Sequence, residues 1–418
     1  MAILLVFYVL FSKIPYYWIF IGANFIFLYS GVVYLLSYWE RGGTKDPVPK
    51  IFPEVSVIIP CYNSSKTIVQ CVNAVRSMEY PKKFQIIVVD DGSSDSSIEM
   101  IAGIQDVQII QKEKNEGKAS AMNYALKFAK GELVACIDSD TYPSEDSLLK
   151  LVGYFEDKKV GAATALICVN KPKNLLQRLQ EIEYYVAFGF WHKALSLLDA
   201  LIVTPGPMSV FRKEVLVKLG GYDEKNITED MEIALRLQSN GYKIACCVNT
   251  KVYTEVPDTL EKYFRQRIRW YRGKIFNGAK YSFMMFNPKF KDFGMFVFPV
   301  TFIVEIFGVI VAARVFALYF NEIYIAISKA LSWLYVSSTP PIDLALDAFT
   351  VNSSFYFVTV SLLLWLYIVA TSFKFAKERI TLVRLPVLAI FLFFYYLLIS
   401  VSYFLSALHE INGSEYKW

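Results

Sequence analysis

Long apolar runs lie near both ends of this 418-residue chain, and the stretch between them mixes short apolar runs with polar turns. Residues 16–38 carry no charge and are long enough to cross a bilayer core of about 30 Å as a helix. Three more long apolar runs follow at 293–320, 354–373 and 385–408. Residues 1–12 are apolar but too short to span, so we expect an interfacial start there, with a removed signal peptide as a minor alternative.

The middle of the chain alternates between strand and helix patterns. Short β-branched or apolar runs predict strands at 55–60, 84–90, 107–111 and 133–137. Apolar residues at helical spacing predict helices at 66–78, 98–104 and 118–130. Strands that alternate with helices form a mostly parallel, doubly wound sheet, so the expected fold class is α/β. In such a sheet, ligands bind at the carboxyl ends of the strands.

Composition and charge divide the chain into regions. With 55% hydrophobic and 19% charged residues, the chain is too apolar for an ordinary soluble protein. We expect an N-terminal transmembrane segment at 1–40, an α/β domain at 41–257, interfacial amphipathic helices at 258–292 and a C-terminal transmembrane domain of three helices at 293–418. The loop 374–384 is basic and the loop 321–352 is not, so the positive-inside rule predicts a multi-pass plasma-membrane protein with a cytoplasmic α/β domain and both termini outside.

The remaining composition excludes several classes of protein. The six cysteines form no Cys-x-x-Cys pair, which favours reduced cytosolic thiols over disulfides or zinc. The two histidines, His192 and His409, are too far apart in sequence to suggest a metal site. The net charge of +5 suits an anionic membrane surface and a nucleotide ligand, and the absence of a nucleic-acid-binding motif argues against nucleic acid as a partner.

A pair of carboxylates follows the fourth predicted strand. Asp138 and Asp140, separated by Ser139, come directly after the apolar run 133–137. Carboxylate oxygens at a strand end suit Mg²⁺ or Mn²⁺, which then bridges to phosphate oxygens. A polar turn after a strand is the alternative, because Asp and Ser are ordinary turn residues.

Three other predicted strand or helix ends carry side chains that suit a nucleotide. Pro60 and Tyr62 follow the first strand, and Tyr62 could stack on a base. Asp90 and Asp91 follow the second strand, where either could accept from a base or a ribose hydroxyl. Lys118 opens a helix, where it could meet a diphosphate. A turn or an N-cap is the alternative explanation for each of them. The sequence contains no Gly-x-Gly-x-x-Gly motif and no P-loop motif, which excludes a dinucleotide-binding site and a P-loop nucleotide site.

Two later segments add candidate chemistry. Asp230 opens the predicted helix 230–239, where the helix dipole favours the ionised carboxylate that a general base needs. A structural helix-start acid is the alternative. The segment 262–274 is a basic, aromatic helix in which Gln266, Arg269 and Trp270 share one face. Trp270 could stack on a sugar and Arg269 could hold a diphosphate, while a helix lying on lipid headgroups is the simpler interpretation.

Taken together, these residues resemble the inverting family-two glycosyltransferases with the GT-A fold. The chain is most similar to the membrane-embedded synthases that make poly-N-acetylglucosamine, hyaluronan, chitin and cellulose. The resemblance covers about half of the chain and rests on five motifs: Asp90-Asp91-Gly92-Ser93, Asp138-Ser139-Asp140, Gly206-Pro207 with Arg212, Thr228-Glu229-Asp230, and Gln266-x-x-Arg269-Trp270.

The resemblance implies a role for each candidate residue. The nucleotide-sugar-binding residues would be Pro60, Tyr62, Asp90, Asp91, Lys118, Asp138 and Ser139, with Asp90 at the uridine. Asp140, with Asp138 beside it, would hold Mg²⁺ or Mn²⁺. Asp230 would be the catalytic base, with Glu229 as the next candidate. The acceptor and diphosphate residues would be Gly206, Pro207, Arg212, Gln266, Arg269 and Trp270.

The implied reaction is metal-dependent, inverting transfer from a UDP-sugar to a growing polysaccharide at the cytoplasmic membrane face. The implied partners are membrane lipids, a glycan or lipid-linked acceptor, and an oligomer or a second subunit for polymer export. One alternative is a non-processive enzyme that adds a single sugar to a lipid, which the small membrane domain mildly favours. A remote alternative is a non-catalytic membrane scaffold or pore subunit.

Overall fold

The computed structural model describes residues 15–41, 46–336 and 353–413. The interfacial start expected at residues 1–12 lies outside the described residues. The chain divides into two compact units, one formed by residues up to 32 with 300–366 and the other by residues 33–299 with those from 367 onward. All candidate site residues belong to the second unit.

The second unit is built around one mixed sheet of eight strands in the described residues. These are, in chain order, β1 Val55–Cys61, β2 Gln85–Asp90, β3 Val107–Gln111, β4 Leu133–Cys136, β5 Thr141–Pro143, β6 Val160–Val169, β7 Ser209–Arg212 and β8 Lys243–Thr254. The spatial order is β3-β2-β1-β4-β7-β6-β8-β5. Pairs β1–β2, β1–β4, β2–β3 and β6–β8 are parallel, whereas β7 runs antiparallel to β4 and β6, and β5 runs antiparallel to β8.

The sheet is buried on both faces, which explains why its central strands read as continuous apolar runs. Along β1, Val57 and Ile59 join the apolar cluster on one face and Ile58 joins the cluster on the other, as the two-residue period of a strand requires. Helices cover both faces. The predicted mostly parallel α/β sheet is therefore confirmed, with β7 and β5 as its antiparallel members.

Helices connect these strands and continue beyond them. In the second unit's middle region they are α2 Ile68–Arg76, α3 Lys118–Leu126, α4 Ser147–Val152, α5 Leu175–Tyr184, α6 His192–Leu197, α7 Lys213–Lys218, α8 Glu229–Ser239 and α9 Leu260–Lys280. The helices of the apolar ends are α1 Tyr16–Arg41, α10 Phe298–Val336, α11 Ser353–Phe375, α12 Leu385–Ile390 and α13 Tyr396–Ile411.

Two helix predictions need correction. The helix expected at 98–104 is wrong, because that segment forms consecutive turns. Its backbone hydrogen bonds do not keep one helical spacing. Ala102 N–H donates to the Ile98 carbonyl, four residues earlier, whereas Ile104 N–H donates to the Ile101 carbonyl, three residues earlier. The helix expected at 118–130 ends at Leu126, since the next residues turn back toward the sheet.

The described residues contain three helices that are long and apolar enough to cross a membrane. They are Tyr17–Arg41, Phe293–Val311 and Leu382–Ile411. The remaining predicted span falls on α11, Ser353–Phe375, of which Thr359–Phe375 is apolar. The sidedness assigned from the basic loop stays a prediction.

The long helix α9 lies between the α/β domain and the last apolar helix. On one side Ser406 Oγ donates to the Ile268 carbonyl at 3.3 Å, and Arg272 pairs with Glu410 at 2.5 Å. On the other side Arg269 donates to the Ile227 carbonyl at 3.3 Å. The segment that carries the Gln-x-x-Arg-Trp motif therefore contacts both the sheet domain and α13.

Candidate active site

A pocket of about 790 Å³ opens at the carboxyl ends of β1 and β4. This is the edge at which ligands bind in open α/β sheets. The pocket collects residues from five separate segments of the chain. Its lining consists of Pro60, Cys61, Tyr62, Asp91, Asn115, Glu116, Gly117, Lys118, Ala121, Asp138, Ser139, Asp140 and Arg269.

The Asp-x-Asp segment is held at the pocket by its strand and the turn that follows. Ile137 N–H still donates to the Ile58 carbonyl, so the chain leaves the sheet only at Asp138. Thr141 N–H then donates to the Asp138 carbonyl at 3.1 Å and closes a tight turn. Burial, and after it the neighbouring Asp138 carboxylate, raise the pKa of Asp140 to about 7. Two carboxylates this close together repel each other, and a bound cation would relieve that repulsion.

The donor set fits a divalent cation that is shared with a substrate. Among the described residues, no group of three or more His, Cys, Asp and Glu side chains could hold an ion by itself. Asp138 and Asp140 both line the pocket, and Mg²⁺ usually binds to one or two carboxylates together with substrate phosphates. The residues present therefore suit an ion completed by a diphosphate.

Lys118 connects the two acidic segments of the site. Its Nζ lies 2.6 Å from Asp138 Oδ1 and 3.0 Å from Glu229 Oε1. Burial opposes the charge on this amine, but Asp138, Glu229 and Asp230 outweigh it and raise the pKa of Lys118. Lys118 is therefore a cation throughout the physiological range.

The ion pair between Lys118 and Asp138 explains why position 206 is a glycine. A Cβ at this position would lie 2.5 Å from Asp138 Oδ2 and 2.6 Å from Lys118 Nζ. The backbone at Gly206 thus packs directly against the ion pair, and a side chain at this position would displace the charged groups. The role expected for Pro207 stays a prediction.

The two aspartates after β2 differ in what they contact. Asp91 lines the pocket, and its carboxylate accepts from Lys112 Nζ at 2.6 Å and from Gly117 N–H at 2.7 Å. It therefore fixes the loop that ends at Lys118. Asp90 is buried, accepts from Ser93 N–H at 3.0 Å, and is not among the lining residues. A base contact for Asp90 stays a prediction.

The remaining predicted nucleotide residues lie at the rim. Tyr62 is half-exposed, with its ring free to meet a flat ligand, and Pro60 precedes it on β1. Ser139 Oγ lies 2.8 Å from Ser64 Oγ, which joins the Asp-x-Asp turn to the segment after β1. Ser64 was not indicated by the sequence pattern.

The start of α8 presents the two acids expected to do the chemistry. Burial alone would raise the pKa of Glu229, but the positive charges of Lys118 and Arg269 outweigh it and lower that pKa. For Asp230, burial and the nearby Glu229 carboxylate outweigh the positive charges of Lys118 and Arg269 and raise its pKa to about 6. The Asp230 carboxylate accepts from Met231 N–H at 2.8 Å. Glu229 is a fixed anion paired with Lys118, which leaves Asp230 as the better proton acceptor.

The three motif residues on α9 have different surroundings. Arg269 lines the pocket. Trp270 packs beside the apolar cluster of Ile167, Val169, Tyr184 and Val256, and the guanidinium of Arg267 covers its ring at 4.1 Å. The carbonyl oxygen of Gln266 is buried without a hydrogen-bond partner. Neither Gln266 nor Trp270 is among the residues that line this pocket.

Arg267 was missed by the sequence reasoning, although it lies inside the basic helix. It is fully buried, pairs with Glu183 at 2.5 Å, and stacks on Tyr263 as well as Trp270. Glu183 also accepts from Tyr395 Oη at 2.9 Å. Six basic residues in one stretch gave no signal that singled out this one.

Arg212 does not join the site, and the role expected for it in binding acceptor or diphosphate is not supported. It pairs with Leu133 at the far end of β4 from Asp138, because β7 runs antiparallel to β4. Its guanidinium donates to the Phe155 carbonyl at 2.9 Å and stacks on the Phe155 ring. Arg212 therefore holds a turn on the opposite edge of the sheet.

The mixed α/β sheet thus carries an Asp-x-Asp turn and a cation at its ligand-binding edge, as the resemblance to the GT-A glycosyltransferases implied. Residues 56–220 match the family model described as Glycosyl transferase family 2. This part of the chain is therefore similar to the family that the sequence motifs resemble.

Two staphylococcal proteins are similar in sequence to this chain. Poly-beta-1,6-N-acetyl-D-glucosamine synthase of Staphylococcus aureus (strain COL) is 31% identical over 275 residues, which cover 64% of this chain and 64% of that protein. The synthase of the same name from Staphylococcus epidermidis is 31% identical over 273 residues, with the same coverage. The match thus spans somewhat less than two thirds of these relatives.

A solved structure also shares the fold. The mannosyltransferase PcManGT from Pyrobaculum calidifontis, in complex with GDP-Man and Mn²⁺, superposes with a TM-score of 0.61 at 20% identity. The superposition covers 94% of this chain and 99% of that one. The predicted α/β GT-A class is therefore confirmed.

Removal of one metal-ligand charge tests the Asp-x-Asp assignment. We expect Asp140→Asn to abolish sugar transfer and to make donor binding insensitive to Mg²⁺ or Mn²⁺, because the neutral amide cannot replace a carboxylate ligand. The fold should survive, since the residue lies at a strand end outside the apolar core. Donor titrations with and without chelator measure this, and full activity of the wild type in chelator would contradict it.

The protonation state of Asp230 predicts a pH profile. Its raised pKa of about 6 means that the carboxylate loses its charge as the pH falls below that value. A base must be ionised, so kcat should fall about tenfold per pH unit below roughly pH 6 and level off above it. Rates at saturating donor and Mn²⁺ give the profile. Asp230→Asn should lower kcat by about 10² to 10⁴ and remove this limb; an unchanged limb would assign it to another group.

Proposed function

We propose that this protein transfers a sugar, with inversion, from a nucleotide-diphosphate sugar to a growing polysaccharide at the cytoplasmic face of the membrane. The observation that carries the proposal is the charge arrangement around Lys118, which lies between the metal-type carboxylate Asp138 and the acid at the start of α8. A pocket of about 790 Å³ beside them is large enough for a nucleotide sugar.

The donor is proposed to be a UDP-sugar. The two staphylococcal relatives described above are poly-N-acetylglucosamine synthases by name, which makes UDP-N-acetylglucosamine the first donor to test. The exposed ring of Tyr62 and the polar loop at residues 115–117 suit a base and a ribose. Asp138 and Asp140 would hold Mg²⁺ or Mn²⁺, which neutralises diphosphate charge when bound.

The chain's own residues supply the rest of the reaction. Lys118 and Arg269 provide positive charge where the leaving diphosphate needs it. An acceptor hydroxyl attacks the anomeric carbon from the face opposite the diphosphate. The bond to the diphosphate oxygen breaks with its electron pair, which leaves on the nucleoside diphosphate. Asp230 takes the proton of the attacking hydroxyl.

The membrane location rests on the apolar helices and on their link to the site. Three described helices are long enough to span, and α9 contacts α13 through Ser406 and Glu410. The acceptor-binding helix would therefore lie beside a membrane helix. A cytoplasmic catalytic domain follows from the basic loop 374–384, and an export partner or oligomer would suit a polymer.

The alternatives differ in the acceptor. A lipid acceptor that receives one sugar would use the same donor site, and the modest number of apolar helices keeps this candidate open. A non-catalytic scaffold is disfavoured, because Asp138, Asp140 and Asp230 are all present and surrounded by the charges that tune them.

Product size separates a polymer synthase from a single-sugar transferase. Purified protein in lipid nanodiscs would receive a panel of UDP- and GDP-sugars with Mg²⁺ or Mn²⁺. With limiting enzyme we expect long products early and few intermediates, from a UDP-sugar. A single added sugar, whatever the acceptor and the donor supply, would replace the proposal by the lipid-transferase alternative.

The same assay tests Trp270 as the acceptor platform. Trp270→Ala should shorten the product while leaving donor affinity near normal, since an aromatic contact contributes on the order of one kcal/mol to holding the chain end. Tyr271→Ala is the matched control: it removes the next aromatic residue on the same helix, which packs on Tyr403 at 5.4 Å. Equal shortening in both variants would show that helix packing, and no sugar contact, controls length.

A further inference from the structure

One face of α9 is directed at the turn that precedes the catalytic acids. Arg269, Gly273 and Asn277 are spaced four residues apart and so lie on the same side of the helix. All three contact the segment 226–228, which leads into α8. Only the first belongs to the Gln-x-x-Arg-Trp motif; the other two lie beyond it.

Gly273 is required by close approach. A Cβ at this position would lie 2.1 Å from Thr228 Oγ1 and 2.3 Å from Thr228 Cγ2. Thr228 lies against the helix backbone itself, so no side chain fits between them. The backbone of α9 and the residue before Glu229 are therefore in direct contact.

Asn277 completes the contact with a closed set of hydrogen bonds. It is fully buried, and its amide donates to Thr228 Oγ1 at 3.0 Å and to Asn226 Oδ1 at 3.2 Å. In return, Asn226 Nδ2 donates to Asn277 Oδ1 at 2.8 Å. Asn226 Oδ1 also accepts from Thr228 N–H at 3.1 Å. Buried amides in such a set fix one geometry, because any shift leaves a polar group unpaired.

The turn they fix determines where the base lies. Thr228 is the N-cap residue of α8, yet its hydroxyl makes no capping bond to that helix and is held by Asn277 instead. On the other side, Thr204 donates to the Asp230 carbonyl through its N–H at 3.1 Å and its hydroxyl at 2.8 Å. The backbone that carries Asp230 is thus held from both sides.

We propose that Gly273 and Asn277 are positioning residues of the transfer reaction, which set the register between the base Asp230 and the acceptor-binding residues of α9. This inference rests on the proposed function. Because one helix carries both the acceptor residues and this contact, the acceptor hydroxyl and the base are aligned through a single rigid element. Catalysis needs that alignment to within about an ångström.

The adjoining contact between α8 and α9 offers a matched control. Tyr281 Oη donates to Glu232 Oε1 at 2.7 Å, and Lys280 Nζ lies 2.9 Å from the same oxygen. These bonds join the same two segments one turn further on and do not touch residues 226–228. They keep α8 and the chain after α9 together when the Asn277 amide is removed.

The test compares Asn277→Ala with Tyr281→Phe in nanodiscs, using UDP-N-acetylglucosamine and Mn²⁺ as the probe. We expect Asn277→Ala to lower kcat by about 10- to 100-fold, with UDP affinity within about twofold of the wild type. Tyr281→Phe should keep its kcat. If Asn277→Ala does not fold, Thr228→Val removes the accepting hydroxyl at constant shape and should lower kcat in the same way.

A second comparison tests whether the loss of kcat in Asn277→Ala depends on the base Asp230. In an Asp230→Asn background, Asn277→Ala should cause no further loss of the residual transfer. An unchanged kcat, an equal loss in Tyr281→Phe, or a further loss of the same factor in the Asp230→Asn background would each overturn the inference. Normal turnover of Asp230→Asn alone would instead contradict the base role of Asp230, and no sugar transfer by the wild type from any UDP- or GDP-sugar would contradict the proposed function.

Discussion

The ion pairs of Lys118 are the interaction on which the rest of the site depends. One amine reaches Asp138 at the end of β4 and Glu229 at the start of α8, and so joins two segments that are 91 residues apart in sequence. Without that positive charge, the acids of the two segments would repel each other in a partly buried position. Gly206 packs directly against the pair, so the surrounding backbone is shaped to it as well.

The charge of Lys118 also separates the roles of the acids. Glu229 is stabilised as an anion by Lys118 and Arg269, whereas Asp230, next to that anion, has its pKa raised to about 6. Two neighbouring acids with pKa values pushed apart are what one expects when one of them must exchange a proton. In the proposed reaction α9 would supply the acceptor side, and its contacts with the turn at 226–228 would couple that side to the base.

Much of this arrangement could be predicted from local sequence signals. The strand ends, the Asp-x-Asp turn and the acids opening α8 are each visible as an apolar run followed by a polar break. The mistakes come from non-local geometry. Arg212 is only six residues from Gly206, but it lies at the far end of β7, which runs away from the ligand edge and spans about 10 Å. The partners of Asp91 and Arg267 depend on tertiary packing, and neither β6 nor β8 was predicted.

We propose that the cation at position 118 organises the sugar-transfer site, and replacing that cation tests this role. Lys118→Met keeps the length of the side chain and removes its charge; Lys114→Met, at an exposed lysine of the same loop, is the control. Sugar transfer from UDP-N-acetylglucosamine would be measured for both variants at saturating Mn²⁺. We expect a loss of about 10² to 10³ in kcat for Lys118→Met and wild-type turnover for the control. Turnover of Lys118→Met within twofold of the wild type would contradict it.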